Sequence, residues 1–294
     1  MRVLVTGSTG VVGRAIVKEL LYFTQGVQQI VALSRKNRYK YEDHPDKPNA
    51  MVLNCHGDLL QNPIRLITQF SPTHIFHCCG NGVVGDYFDE IWDNNVNTTY
   101  NILKACCNLI EPTRFINCSS ILVNQKPLTL YNASKKAGEA LVESFSDMYS
   151  DRIIGTSVRF PAVAGAGNRH GVVKATIDKL LDKEDDKLRL LTNSKKPLVY
   201  SQQLANTLVQ IALYNNKASK LNLCSEESIP VSEIAKVAMQ ITGINKEIEW
   251  SNNSWAGDNN MVAPIFSDYK MLPVQSAVIH GINDILTEDY NGIN

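Results

Sequence analysis

A short β-branched run, Val3–Thr6, stops in three regularly spaced glycines, Gly7-Ser8-Thr9-Gly10-Val11-Val12-Gly13. A helical periodicity then takes over from Val11 to Phe23. Few folds accept that order. A strand that ends in G-x-x-G-x-x-G must turn tightly, and the helix must begin at once behind the turn. Bare backbone and the free N–H groups and positive dipole end of the helix then form a cradle for a pyrophosphate. Gly7, Thr9, Gly10, Val11, Val12 and Gly13 are the candidate contacts. A glycine pattern alone is weak; its position straight after the first strand strengthens it.

The alternation continues down the chain. Gln29–Leu33, Met51–Asn54, His74–Cys78, Arg114–Cys118 and Ile153–Arg159 read as strands. Ile64–Phe70, Tyr87–Leu109 and Leu130–Tyr149 read as helices between them. Strands separated by helices imply crossovers, hence a parallel sheet covered on both faces. The expected fold class is α/β, a Rossmann-type doubly wound parallel sheet with a smaller mixed C-terminal region. Residues 1–160 are expected to form the dinucleotide-binding domain and 161–294 mainly the substrate-binding region, with 197–215 packing back on the first. In the second half Gln202–Tyr214, Val231–Thr242 and Gln275–Leu286 read as helices, and the polar Ser251–Asn260 as a loop.

Composition narrows the class. With 44% hydrophobic and 20% charged residues, disorder and fibrous architecture are excluded. Lys+Arg and Asp+Glu both number 29, so no global charge points to nucleic acid or an anionic membrane as partner. Seven cysteines, an odd number without a C-x-x-C, fit free thiols rather than a disulfide framework, and the histidines show no zinc-like spacing, so no metal is expected. Neither a leader-like N-terminus nor an apolar run of membrane-spanning length is visible, and a soluble cytoplasmic protein is the expectation.

The second strand bears on the cofactor. Where an acid would chelate the ribose hydroxyls of NAD, the chain reads Ser34-Arg35-Lys36. Ser34 cannot chelate two hydroxyls, whereas Arg35, with Lys36 and Arg38 nearby, can neutralise a 2′-phosphate. NADP is therefore expected ahead of NAD. Further on, Tyr131 and Lys135 of YNASK are four apart in a helical stretch and share a face. A phenol is a poor proton carrier near neutrality without help, and a neighbouring ammonium favours its anionic form. Ser120, at the end of the fifth strand, can hydrogen-bond a substrate carbonyl and hold it for Tyr131.

These motifs together resemble the extended short-chain dehydrogenase/reductase family, which comprises nucleotide-sugar epimerases, dehydratases and reductases, and the likeness runs nearly end to end. It implies that Asp58 and Leu59 contact the adenine, that Cys78, Cys79 and Gly80 lie along the cofactor, and that Asn94 is a structural asparagine near the nicotinamide. It also implies that Phe160 and Pro161 pack against the nicotinamide. The helices Tyr87–Leu109 and Leu130–Tyr149 carry more apolar residues than one sheet-facing stripe needs, Ile91, Ile102, Leu103, Cys106 and Leu109 among them in the first, so their periodicity predicts a second buried face in a homodimer, an arrangement the resemblance also implies. Four places depart from the family pattern: Ala162 where an asparagine commonly contacts a sugar-nucleotide phosphate, Asn124 for a tyrosine, Ser201-Gln202-Gln203 for Val-Asp-Asp, and a shortened Ser120–Tyr131 interval. The leading functional expectation is NADP-dependent reduction of a keto-sugar, nucleotide-linked or not. A nucleotide-sugar epimerase and a reductase of apolar carbonyl compounds stand as alternatives. Ile121 and Leu122, where a dehydratase needs an acid, argue against dehydration, and the intact Ser–Tyr–Lys set argues against a non-enzymatic sensor.

Overall fold

The computed structural model describes residues 1–22, 24–35, 41, 51–61, 63–80, 88–126, 128–215, 217, 219–225, 227–251 and 267–290. The first elements are β1 (Arg2–Thr6), α1 (Val11–Tyr22), β2 (Gln29–Ser34), β3 (Met51–His56), α2 (Pro63–Phe70) and β4 (His74–His77). They are followed by α3 (Phe88–Trp92), a π-helical turn at Asp93–Asn97, α4 (Thr98–Cys106), β5 (Thr113–Ser120), a 3₁₀ turn at Ile121–Asn124, α5 (Leu130–Met148) and β6 (Ile153–Phe160). Beyond these come β7 (Ala162–Ala164), α6 (Val172–Leu181), β8 (Lys187–Leu190), β9 (Lys195–Lys196), β10 (Leu198–Tyr200), α7 (Ser201–Tyr214), β11 (Ser219–Asn222), β12 (Ile229–Pro230), α8 (Val231–Thr242), β13 (Glu247–Trp250) and α9 (Val274–Asp289).

Two compact units result, Met1–Phe160 with Ala205–Leu221, and Pro161–Leu204 with Asn222–Asn294. The first carries a seven-stranded sheet in the order β3-β2-β1-β4-β5-β6-β11. The five pairings from β3 to β6 are parallel. Strand order reverses between β1 and β4, and such a switch point opens a crevice at the strands' C-terminal ends. Val3, Leu4 and Val5 are fully buried, as both-face coverage by helices requires. One side of the core joins Leu4, Val31, Ile75 and Phe115 of the strands to Ile67, Ile102, Leu103 and Val142 of the helices. α5 lies directly on β6 because Gly155 offers no side chain: a Cβ there would stand 2.5 Å from Ser146 Oγ and from Val142 Cγ1.

The helix expected over Tyr87–Leu109 requires correction. It divides into α3, the π turn and α4, and ends at Cys106; Tyr87 lies outside the described residues. The cause is local. In Asp93-Asn94-Asn95-Val96-Asn97-Thr98-Thr99, side chains bond back along the helix. Thr98 Oγ1 donates to the Asn94 carbonyl (2.7 Å), Thr99 Oγ1 to the Asn95 carbonyl (2.8 Å), and Asn97 Nδ2 to Asp93 Oδ1 (2.6 Å). Short polar side chains that compete for backbone carbonyls bend helices, and a π turn inserts a residue that re-aims its neighbours.

In the second unit three two-stranded pairings, β7 with β10, β9 with β12 and β8 with β13, surround α6, α8 and α9. Val173, Ile177, Leu188, Ile234, Val278, Ile282 and Ile285 form its core. α9 approaches β7 closely at Gly281, where a Cβ would stand 2.4 Å from the Ala164 Cβ; the small residues of Ala162-Val163-Ala164 are what permit that contact. β7, β9, β12 and α6 are too short or too weakly patterned to be read from the sequence. Of the expected loop Ser251–Asn260, all but Ser251 lie outside the described residues. No helix among the described residues is long and apolar enough to cross a membrane.

Candidate functional site

The glycine turn is built as its spacing implies. Gly7 adopts φ +63°, and a Cβ on it would lie 2.7 Å from the backbone nitrogen of Cys79. A Cβ on Gly13 would lie 2.4 Å from the Gly7 carbonyl oxygen. Both positions therefore exclude larger residues: the first packs the turn against the end of β4, the second seats α1 on the turn. Gly10 N donates to the Gly7 carbonyl (3.0 Å) and Arg14 N to the Gly10 carbonyl (2.8 Å). Thr9, Val11 and Val12 are half-buried around this first turn, whose N–H groups have no acceptor within the helix. Tyr41 closes the turn's outer side, its hydroxyl donating to the Ser8 carbonyl at 2.5 Å.

At the end of β2, Ser34 is half-buried and Arg35 exposed; Lys36 and Arg38 lie outside the described residues. Asp58 and Leu59 follow β3. Asp58 Oδ1 accepts from Leu60 N (2.9 Å), which leaves its other oxygen for a partner, and Leu59 is buried with its carbonyl held by Asn101 Nδ2 (3.0 Å).

The end of β4 rests on a directed chain of buried hydrogen bonds. Thr6 Oγ1 accepts from the N–H groups of Cys78 and Cys79 (3.2 Å each), so its proton goes to His77 Nδ1 (3.0 Å). Thr99 Oγ1 donates to the Asn95 carbonyl, so at its 3.0 Å contact with His77 Nε2 it accepts. Only a neutral imidazole protonated at Nε2 satisfies both ends. Burial, and secondarily the charge of Lys135, holds the pKa of His77 down at about 3. His77 thus ties β1 and β4 to the π turn. That turn directs Asn95 inward: Asn95 Nδ2 donates to Ser134 Oγ (2.9 Å), and Ser134 Oγ to the Tyr131 carbonyl (2.8 Å). A Cβ on Gly80 would stand 2.7 Å from Asn95 Oδ1 and 3.2 Å from Lys135 Nζ. The π turn brings Asn95 against Gly80, while Asn94, the asparagine expected near the nicotinamide, is buried in the same turn.

Tyr131 and Lys135 occupy the first turns of α5, which Thr129 caps by accepting from Asn132 N (3.2 Å). Both are half-buried, and Lys135 Nζ donates to the Cys118 carbonyl at 3.0 Å. Ser120 is buried at the end of β5, opposite Phe160 of β6. Its oxygen accepts from Leu122 N (3.2 Å), which leaves the hydroxyl proton for another acceptor. Pro161 is the first residue of the second unit, and Ala162 beside it is exposed, as are Arg169 and His170. Beneath Ser120, the buried Glu139 accepts from Ser119 Oγ (2.5 Å) and from Arg159 Nε and Nη2 (2.8 and 2.6 Å). Sequence reasoning passed over His77, Asn95, Tyr41 and Glu139. The polar run DNNVN and the histidine inside the apolar HIFHCC were the visible signals for two of them.

Small residues at the turn, a helix N-terminus behind it, a cation at Lys135 and a hydroxyl at Ser120 fit a dinucleotide laid across the ends of β1, β4 and β5. Comparison with known proteins agrees. The model of the NAD dependent epimerase/dehydratase family matches residues 3–224. No curated protein matches the chain. MoeE5 in complex with UDP-glucose and NAD shares the fold at a TM-score of 0.80, with 18% identity over 100% of both chains. UDP-N-acetylglucosamine 4-epimerase from Methanobrevibacter ruminantium M1, in complex with UDP-N-acetylmuramic acid, does so at 0.78, with 16% identity over 98% of each chain. The UDP-glucose 4-epimerase of Thermus thermophilus in complex with NAD follows at 0.75, with 20% identity over 97% of this chain and 98% of that one. With a family model spanning most of its length and a sheet of the extended short-chain dehydrogenase/reductase type, this chain is an NAD(P)-dependent enzyme that belongs to the NAD dependent epimerase/dehydratase family.

Proposed function

We propose that this protein inverts a carbinol centre of a nucleotide-linked sugar by oxidising it to the ketone and reducing it from the other face. Net reduction of a keto-sugar, the first expectation from sequence, gives way to its alternative, because the family model and the epimerases that share the fold favour a reaction without net redox change. The observation that carries the reading is the placing of Lys135 Nζ, at 3.0 Å from the Cys118 carbonyl and against Gly80, between the ends of β4 and β5 where Ser120 also lies. A bound nicotinamide would accept and return the hydride. Gly7 to Gly13 would hold the pyrophosphate, Asp58 and Leu59 the adenine end, and Cys78 to Gly80, Phe160 and Pro161 the nicotinamide half. Tyr131 takes the sugar's hydroxyl proton on its phenol oxygen and gives it back on the return step. Lys135 stabilises Tyr131 as the phenolate that receives this proton, and Ser120 donates a hydrogen bond to the sugar oxygen.

The form of the cofactor turns on Arg35. Related structures carry NAD, whereas Ser34-Arg35 in place of an acid supports a contact to a 2′-phosphate; we infer that this chain prefers NADP. The test is interconversion of UDP-hexoses in the presence of a catalytic amount of dinucleotide, followed by NMR. Tyr131→Phe should keep dinucleotide binding and lose more than about tenfold in kcat, or 1.4 kcal/mol. A variant above that level would remove Tyr131 from the chemistry. Stoichiometric oxidation of NADPH by a keto-sugar nucleotide, with no epimer formed, would restore the reductase reading.

A further inference from the structure

We propose that Cys78 and Cys118 are an oxidisable pair which hydrogen peroxide joins into a disulfide, and that this crosslink closes the dinucleotide cradle. Their sulfurs stand 3.5 Å apart. They directly follow the aligned pair His77 and Asn117 on the parallel strands β4 and β5. Adjacent strands lie about 4.7–4.9 Å apart. That spacing falls within the Cα separation of about 4.4–6.8 Å that a disulfide spans, and closure to an S–S bond of about 2.05 Å asks each sulfur to move by well under 1 Å. Cys118 is buried, Cys78 is half-buried, and both are free thiols. Cys79 is not part of the pair: its sulfur lies 3.7 Å from His77 Nδ1 and from Thr98 Oγ1.

The exposures assign the order of events. Cys78 attacks the peroxide oxygen, giving a sulfenic acid and one water. Cys118 then attacks the Cys78 sulfur, expelling the hydroxyl as a second water, so two thiols and one peroxide yield one disulfide and two waters. Burial, and next the hydrogen bond and charge of Cys118, push the Cys78 thiol up, while Lys135 opposes them. The first step therefore quickens as pH rises. The crosslink would matter because the neighbouring backbone is tightly fitted: Cys79 N stands 2.7 Å from where a Gly7 Cβ would be, and Lys135 hangs on the Cys118 carbonyl. A shift of Cys78 toward β5 disturbs the glycine turn and the lysine together.

Only the effect on binding rests on the proposed function; the crosslink is tested by itself. The reduced full chain is treated with hydrogen peroxide, with and without NADP, then measured by intact mass and peptide mapping and titrated with dinucleotide. The expected result is loss of two hydrogens, mapped to Cys78–Cys118. Crosslinking should be slower with NADP present, and affinity should fall at least about tenfold, or 1.4 kcal/mol, and return with dithiothreitol. Cys118→Ala should not crosslink and Cys79→Ser should. Oxidation confined to sulfenic or sulfinic acids, a crosslink to another cysteine, or a Cys78–Cys118 bond that leaves affinity unchanged overturns the proposal. A reduced chain that binds neither dinucleotide overturns the binding half along with the functional reading, while the mapped bond is still judged by mass.

Discussion

Glu139→Gln should unfold this protein more easily than any exposed substitution, although it changes a single atom. Glu139 is 3% exposed, and all its contacts are charge-assisted: Arg159 binds both carboxylate oxygens side by side while Ser119 donates to one of them. In the variant one oxygen can still take Arg159 Nε and Ser119. The new NH₂ then faces Arg159 Nη2 from the position of an oxygen now 2.6 Å away, donor against donor. Arg159 is left without its counter-ion. Breaking a buried pair costs about 3–5 kcal/mol. Arg159 keeps 21% of its side chain in solvent, and water there offsets part of the cost, so the expected loss is about 2–3 kcal/mol.

Urea unfolding followed by circular dichroism measures this directly, as a lowered midpoint at unchanged slope. The companion variant Arg159→Met strands the more deeply buried partner and should cost at least as much. The double variant should cost less than the sum of the two by about 1–3 kcal/mol, because neither lone charge remains. A loss below about 1 kcal/mol for Glu139→Gln, or a coupling below about 0.5 kcal/mol, would show that the clamp is not a stability element and refute the reasoning.

Three further outcomes are expected. NADP should bind about ten- to a hundredfold more tightly than NAD, and Arg35→Ala should remove that advantage; equal affinities in wild type would disprove the role of Arg35. Folded His77 stays neutral down to about pH 3 while an unfolded histidine takes its proton below about 6.5, so stability is whole above that pH and falls as pH drops. The His77 share should be about 1.4 kcal/mol at about pH 5.5, a loss that His77→Gln would not show; the same decline in both proteins would count against the buried neutral histidine. Light scattering should give twice the chain mass of 32.7 kDa, through Trp92, Tyr100, Leu141 and Phe145 of the α3–α4 and α5 faces; a monomer mass that persists on concentration would exclude this dimer.

What the sequence made legible divides by the range of the interaction. The glycine turn is mostly local: its spacing over seven positions is explained at Gly13 by the Gly7 carbonyl it must clear, while Gly7 has also to clear the backbone of Cys78 and Cys79 just beyond β4. The Tyr131–Lys135 pair is local too, fixed by the helical repeat. Asn95 is different. A 3.6-residue period assigns Asp93–Asn97 to one continuous helix, and only the back-bonding of Thr98 and Thr99 turns it into a π turn that swings the amide toward Gly80. His77 and Glu139 are further removed, since their partners at Thr6, Thr99, Ser119 and Arg159 lie on other elements. A buried polar residue reads from sequence as an exception to an apolar run; its meaning comes from partners that the fold must first assemble. The same limit applies to the dimer helices. Ile91, Ile102, Leu103, Cys106 and Leu109 looked like surplus apolar surface, yet the first unit buries all of them, which leaves a narrower outer face for a second copy than the periodicity alone suggested.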